Sequence, residues 1–165
     1  MFCSKIAGLR YLSFSVYIAI IYHLIYYVVV GSKEEVRDFL QQIKETITNP
    51  IKGCDGWVLI PRPENKDCIS TLGFRPNDIA NTILSLSVTD YCDGPCHDYD
   101  QSGNLWIFGK VIEGKEVYVK LKIASLSNLR MVRIVSFHFS QEALNYPFEE
   151  EPIKEEQENE GGSNH

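Results

Sequence analysis

The chain lacks the motifs that identify several large enzyme classes. It contains no phosphate-binding P-loop, no glycine fingerprint of a dinucleotide-binding domain and no nucleophile elbow. No internal repeat is visible either. A chain of 165 residues has room for one domain with short additions.

Net positive charge is also absent, and this limits the possible partners. The formal net charge is -6, but the acidity belongs to the tail. Residues 149–165 carry seven Glu and one Lys, whereas residues 32–148 carry 13 Lys or Arg and 15 Asp or Glu. The middle of the chain is therefore nearly neutral and does not resemble a protein that coats nucleic acid. Local basic patches remain compatible with this balance.

Cysteine is present in an odd, scattered set that does not suggest a disulfide framework. The five residues are Cys3, Cys54, Cys68, Cys92 and Cys96. This pattern favours a reducing compartment. The run from Cys92 to His97 has no second ligand pair at zinc-site spacing, so no metal site and no cofactor are predicted.

A long apolar run precedes the charged part of the chain. Residues 11–30 contain no acidic or basic side chain apart from His23, which is about the length of a membrane-spanning helix. We consider three interpretations of residues 1–31: a membrane anchor, a hydrophobic helix appended to the domain, or translated upstream sequence with the true start near Val30 or Gly31. The Glu-rich residues 149–165 are predicted to be a disordered tail, which leaves 32–148 as the folded domain.

The pattern of residues 32–148 predicts helices first and strands afterwards. Ser32 and Glu35 form a capping box that begins a helix, which ends at Asn49-Pro50. A strand is predicted at 57–60, a short helix at 64–72, a helix at 77–86 and a long loop at 89–103. Three strands follow at 105–112, 116–124 and 131–139, the first two joined by a tight hairpin. These elements predict an α+β fold: two or three helices on one face of a twisted, mostly antiparallel sheet.

Alternation along the last strands separates an apolar face from a polar one. Val117, Val119, Leu121 and Ile123 point one way, and Tyr118, Lys120 and Lys122 point the other. The polar set is either an ordinary solvated strand face or a surface that holds phosphate. His138 is either a hydrogen-bonded buried histidine or a general acid or base.

The same strands carry a resemblance to a known family. The segments are Leu86-x-x-x-Asp90-Tyr91 with a Gly-Pro loop, Leu-Trp-Ile-Phe-Gly-Lys at 105–110, Gly-Lys-Glu-Val-Tyr-Val-Lys-Leu-Lys-Ile at 114–123 and Val-Ser-Phe-His at 135–138. In order and spacing this pattern resembles the MqsR family of toxins, over about Ser32 to Phe148. The resemblance implies a RelE-like fold and a metal-independent endoribonuclease that cuts mRNA. It also implies a cytoplasmic location and a cognate antitoxin protein as partner.

The resemblance and the residue pattern together give a hypothesis for the site. The family's strand tyrosine corresponds to Tyr118, and its lysine after the Ser-Phe pair corresponds to His138. We expect Tyr118 and His138 to share the proton transfers. Trp106 is expected to stack a base, and the scissile phosphate is expected to be held by Lys110, Lys120 and Lys122.

A second hypothesis has a different function for the same polar face. In it the chain is a non-enzymatic interaction domain that binds an acidic partner, tethered to a membrane through residues 11–30. This hypothesis predicts no RNA cleavage and retention in the membrane fraction.

Overall fold

In a computed structural model of the chain, the described residues form three helices and a five-stranded sheet. The structure describes residues 31–98, 103–126 and 129–149. The apolar run at 11–30 and the acidic tail from residue 150 lie outside the described residues. Within the described residues, none of the helices is both long enough and apolar enough to cross a membrane.

The first helix, α1 (Lys33–Thr48), begins where the capping box predicts. The Ser32 side chain accepts from the Glu35 backbone N–H, and the Glu35 carboxylate accepts from the Ser32 N–H. One face of α1 is buried through Val36, Phe39, Leu40 and Ile43. The apolar spacing in the sequence therefore predicted both the start and the buried face correctly.

Two shorter helices follow the first strand. Strand β1 (Trp57–Leu59) leads to α2 (Pro63–Leu72) and α3 (Pro76–Leu84), and both helices have proline in the first turn. Proline is favoured there because the first N–H groups of a helix need no internal partner. The observed helix bounds differ from the predicted 64–72 and 77–86 by one or two residues.

The predicted loop at 89–103 is wrong over much of its length. A 3-10 turn at Val88–Asp90 leads directly into strand β2 (Tyr91–His97), which pairs antiparallel with β3 (Asn104–Ile112). Polar and turn-forming residues such as Asp93 and Gly94-Pro95 are untypical of a strand, so the sequence pattern did not predict one here. The pairing of β2 with β3 is interrupted by two register shifts. Irregular edge strands of this kind lack the clean alternation that identifies a strand in sequence.

The last three strands agree with the prediction. β3, β4 (Lys115–Leu126) and β5 (Leu129–Phe139) are antiparallel neighbours, and β1 lies parallel to β5 at the edge. The order across the mixed sheet is β1-β5-β4-β3-β2. Glu113 and Gly114, both with positive φ, form the two-residue turn between β3 and β4. The α+β class and the mostly antiparallel sheet are thus confirmed.

The core lies between the helices and one face of the sheet. That face supplies a row of fully buried side chains, which join the buried residues of all three helices in one cluster. From the sheet these are Phe108, Val117, Val119, Leu121, Val132, Ile134 and Phe137. The opposite face carries Tyr118, Lys120 and Lys122, as the alternation predicted, and we call it the polar face.

One extra residue in β5 determines which of its side chains reach the polar face. Leu121 pairs with Ile134, but Lys120 pairs with Ser136, so Val135 is inserted as a β-bulge. Without this insertion His138 would lie opposite Val117, on the core side. With it, His138 lies opposite Tyr118 on the polar face.

The buried side chain of Asn65 holds the bulged segment in place. Its amide nitrogen donates to the carbonyls of Ile60 (2.9 Å) and Val135 (3.4 Å), and its oxygen accepts from the Phe137 N–H at 2.8 Å. These backbone groups lie past the end of β1, where no strand continues the pairing. Asn65 is fully buried and replaces the missing strand as a hydrogen-bonding partner.

We therefore predict that Asn65→Ala destabilises the domain by about 3 kcal/mol, because it leaves buried backbone groups without partners. Urea unfolding measures this change, and hydrogen exchange should show that the Phe137 amide loses protection. Asn81→Ala, on the exposed side of α3, is the matched control and should change stability by less than about 0.5 kcal/mol. Equal urea midpoints for Asn65→Ala and the native chain would contradict the role given to Asn65.

Candidate functional site

Two proton-carrying side chains stand side by side at the centre of the polar face. Tyr118 of β4 and His138 of β5 are directly opposite each other in the register. Their rings are stacked, with centroids 5.2 Å apart and planes at 22°. Both side chains are half-buried. The structure therefore brings together the two residues predicted to share proton transfers.

A backbone contact determines which nitrogen of His138 can act as a base. Nδ1 lies 3.0 Å from the carbonyl oxygen of Phe139. A carbonyl can only accept, so Nδ1 carries the hydrogen in the neutral ring and Nε2 has the lone pair. Nε2 is thus the atom of His138 that can take a proton from a substrate.

Lys120 and Ser136 complete a compact group around this pair. Lys120 follows Tyr118 on the same face of β4, and its Nζ lies 5.6 Å from the Tyr118 ring centroid. Ser136 precedes His138 on the same face of β5 and pairs directly with Lys120. We call these four residues, Tyr118, Lys120, Ser136 and His138, the polar block.

Lys122 lies on the same face but is already engaged. Its Nζ forms an ion pair with Asp98 Oδ2 at 2.5 Å, and the Lys122 side chain is only 2% exposed. A buried ammonium held by a carboxylate this close is not available as a phosphate ligand in this state. The predicted role of Lys122 as a phosphate-holding residue therefore does not agree with its surroundings.

Lys110 and Trp106 lie on the opposite face of the sheet from the polar block. Trp106 pairs with Leu121 and Lys110 with Val117, both core residues. Trp106 is 8% exposed and stacks on Phe39 of α1, with centroids 4.7 Å apart. The indole is part of the core and has no open face for a base. The prediction that it stacks a nucleotide is corrected accordingly.

Lys110 makes its contacts near the edge of the sheet and not in the polar block. Its Nζ lies 2.9 Å from Asp90 Oδ2 and 3.4 Å from the Ser85 carbonyl oxygen. This contact ties β3 to the turn that precedes β2. Sequence alternation alone places Lys110 in phase with Trp106 and Phe108, so the opposite orientation was already contained in the strand pattern.

A C-terminal segment, residues 141–149, covers the polar face beside Tyr118. Tyr146 donates to Glu116 Oε1 at 3.0 Å and the Leu144 N–H donates to Oε2 at 3.4 Å. The side chains of Leu144 and Tyr146 lie against Gly109, where an added Cβ atom would clash with both of them. Because Gly109 is the strand partner of Tyr118, this segment forms one boundary of the polar block.

Burial alters the pKa of two acid groups near Glu116. Burial raises the pKa of Cys92 to about 12, and the neighbouring carboxylates of Glu116, Asp90 and Asp93 add to the shift. Burial, together with the hydrogen bond to Glu116, also raises the pKa of the Tyr146 phenol. Cys92 and Tyr146 are therefore protonated at neutral pH, and neither can serve as a base or nucleophile there.

A cavity of about 340 Å³ lies beside the C-terminal segment. It is lined by Thr89, Asp90, Gly109, Val111, Tyr146 and Glu149, and none of these belongs to the polar block. Within the polar block, Tyr118, Lys120 and His138 are half-buried and Ser136 is buried. Among the described residues, no set of three His, Cys, Asp or Glu side chains is placed to hold a metal ion.

Sequence reasoning missed several residues that shape this face. Asp98 was not predicted as a site residue, yet its carboxylate neutralises Lys122. Glu116 and Gly109, which receive the C-terminal segment, gave no signal because their partners are about 30 residues away. Ser136 was not predicted as a site residue either, and its pairing with Lys120 places it in the polar block.

Comparison with known proteins gives no match to this chain. No protein-family model, no curated protein and no solved structure matches it.

The buried ion pair of Lys122 gives a testable prediction. Asp98→Asn should destabilise the domain by about 3 kcal/mol, because it leaves a buried ammonium without its carboxylate. Asp55→Asn removes an exposed carboxylate that makes no ion pair with the residues that the structure describes, and it should change stability by less than about 0.5 kcal/mol. The measurement is the free energy of unfolding in urea. If both variants unfold at the native midpoint, the Lys122–Asp98 contact does not stabilise the fold.

Proposed function

We propose that this chain is an mRNA-cleaving toxin of a type II toxin–antitoxin system that works without a metal ion. The observation that carries the proposal is the stacked Tyr118–His138 pair with Lys120 beside it. A phenol, an imidazole with an acceptor nitrogen and an ammonium are the groups needed to move protons around a phosphodiester and to balance its charge. The resemblance to MqsR toxins supports the same chemistry.

In the proposed reaction the RNA supplies its own nucleophile. The 2′-oxygen of one nucleotide attacks the adjacent phosphorus, and the bond from phosphorus to the 5′-oxygen of the next nucleotide breaks. His138 Nε2 takes the 2′-hydroxyl proton, and Tyr118 gives its proton to the leaving 5′-oxygen. The products are a 2′,3′-cyclic phosphate and a 5′-hydroxyl. Proton exchange through solvent then restores neutral His138 and Tyr118.

Lys120 is the residue assigned to charge stabilisation. The attacked phosphate gains negative charge in the transition state, and a fixed cation next to it lowers the barrier. Lys110 and Lys122 are both held in ion pairs with aspartates, whereas Lys120 makes no ion pair among the described residues. Of the three predicted lysines, Lys120 is therefore the one assigned to the scissile phosphate.

The partners in this proposal are mRNA and a cognate antitoxin protein, and the compartment is the cytoplasm. The four described cysteines are all free thiols, which suits a reducing environment. The alternative function, a non-enzymatic interaction domain, uses the same polar face to bind an acidic partner and leaves RNA intact.

Cleavage of RNA by the purified full chain in excess EDTA tests the proposal. We expect His138→Ala and Tyr118→Phe each to lower the single-turnover rate by about 10²–10⁴-fold, the usual contribution of a general acid or base. Lys120→Gln should lower the rate by about 10²-fold. Primer extension locates the cuts, and analysis of the ends should show cyclic phosphate.

Lys110→Gln is the matched control for Lys120→Gln. It replaces another lysine, which lies on the neighbouring strand but on the opposite face of the sheet. The cleavage rate should therefore stay at the native value. If His138→Ala and Tyr118→Phe both cut as fast as the native chain, the assigned roles are wrong. If the native chain binds RNA without cutting it, the interaction-domain alternative takes the place of the enzyme.

A further inference from the structure

Ser136 is a buried residue whose hydroxyl lacks a hydrogen-bond partner within the described residues. The residue is 3% exposed and stands on the polar face. No hydrogen bond to its Oγ is present among these residues. Because no described protein group occupies this hydroxyl, it can donate a hydrogen bond to a ligand.

The Ser136 hydroxyl also retains a narrow opening to solvent. Every fully enclosed side-chain nitrogen or oxygen in the described part of the chain has a hydrogen-bond partner. Since Oγ of Ser136 has none, it belongs to the groups that keep some solvent access. A small polar atom from outside can therefore approach it, although the rest of the residue is covered.

The surroundings of Ser136 favour a negatively charged ligand. Lys120 is directly opposite it in the β4–β5 register, and His138 is its next neighbour on the same face of β5. Directly paired residues on one face of an antiparallel sheet have Cβ atoms about 5 Å apart. The Lys120 ammonium and the Ser136 hydroxyl can thus donate to two oxygens of one anion.

We propose that Ser136 and Lys120 form an anion subsite that binds the non-bridging oxygens of an RNA phosphodiester. The hydroxyl donates one hydrogen bond, and the ammonium donates a second while neutralising charge. Ser136 is thereby a substrate-binding residue in addition to the residues that transfer protons. The assignment to RNA rests on the proposed function, but the anion subsite itself can be measured without any cleavage.

The competing explanation is that the Ser136 hydroxyl stabilises the fold. The two explanations differ in their effect on stability. A hydroxyl without a hydrogen bond contributes nothing favourable to the fold, so Ser136→Ala should leave the melting temperature unchanged or slightly raised. If the hydroxyl instead stabilised the fold, Ser136→Ala should lower the melting temperature.

The experiment measures binding of two probes to the full chain: inorganic phosphate and a 2′-O-methylated RNA decamer that cannot be cut. The NMR resonance of the His138 ring reports occupancy for both. We expect Ser136→Ala to lower the affinity for both probes by about tenfold, the usual effect of one hydrogen bond to a charged group. Ser136→Cys, which keeps the size but donates weakly, should give a smaller loss. Ser125→Ala, at an exposed position near the far end of β4, should bind like the native chain.

Two results would overturn the inference. One is equal phosphate affinity of the native chain and Ser136→Ala, which would show that Ser136 does not belong to an anion subsite. The other is weaker phosphate binding with unchanged RNA binding, which shows that the RNA phosphate does not occupy it. Failure of the native chain to cut unmodified RNA would overturn the proposed function alone, because neither binding measurement depends on cleavage.

Discussion

The β-bulge at Val135 is the feature on which the polar face depends. It shifts the register of β5 by one residue between Ile134 and Ser136. Side chains alternate along a strand, so this single insertion exchanges the two faces for everything that follows. Phe137 is therefore in the core, and His138 is opposite Tyr118. Asn65 holds the segment from the edge of the sheet through two hydrogen bonds, one to the Val135 carbonyl and one from the Phe137 N–H.

Electrostatic pairing restricts the chemistry of this face to a small group. Asp98 neutralises Lys122 on the polar face, and Asp90 pairs with Lys110 on the opposite face. The remaining cation of the predicted set is Lys120, which lies beside the stacked phenol and imidazole. The arrangement supplies one positive charge and two proton carriers at one place, which suits a single phosphodiester better than an extended nucleic-acid surface.

Local patterns in the sequence predicted much of this fold, and contacts between distant residues explain the rest. The capping box at Ser32 and the alternation from Val117 to Ile123 depend on neighbours a few residues away, so both predictions are confirmed. β2 was missed because its Gly-Pro pair and register shifts hide its strand character. Trp106 was placed in the site on residue type, although its strand phase matches Phe108 in the core. The roles of Asp98 and Asn65 depend on partners 24 to 72 residues away, which no local pattern shows.

The central claim is that Tyr118 and His138 act as one unit in cutting RNA. A double-mutant cycle tests it most directly, by comparing single-turnover RNA cleavage in EDTA for His138→Ala, Tyr118→Phe and the double variant. Groups that act together in one step are strongly non-additive. We expect the double variant to be about as slow as the slower single variant. Full additivity of the two effects on the logarithm of the rate would show that the two residues act independently and would contradict the account.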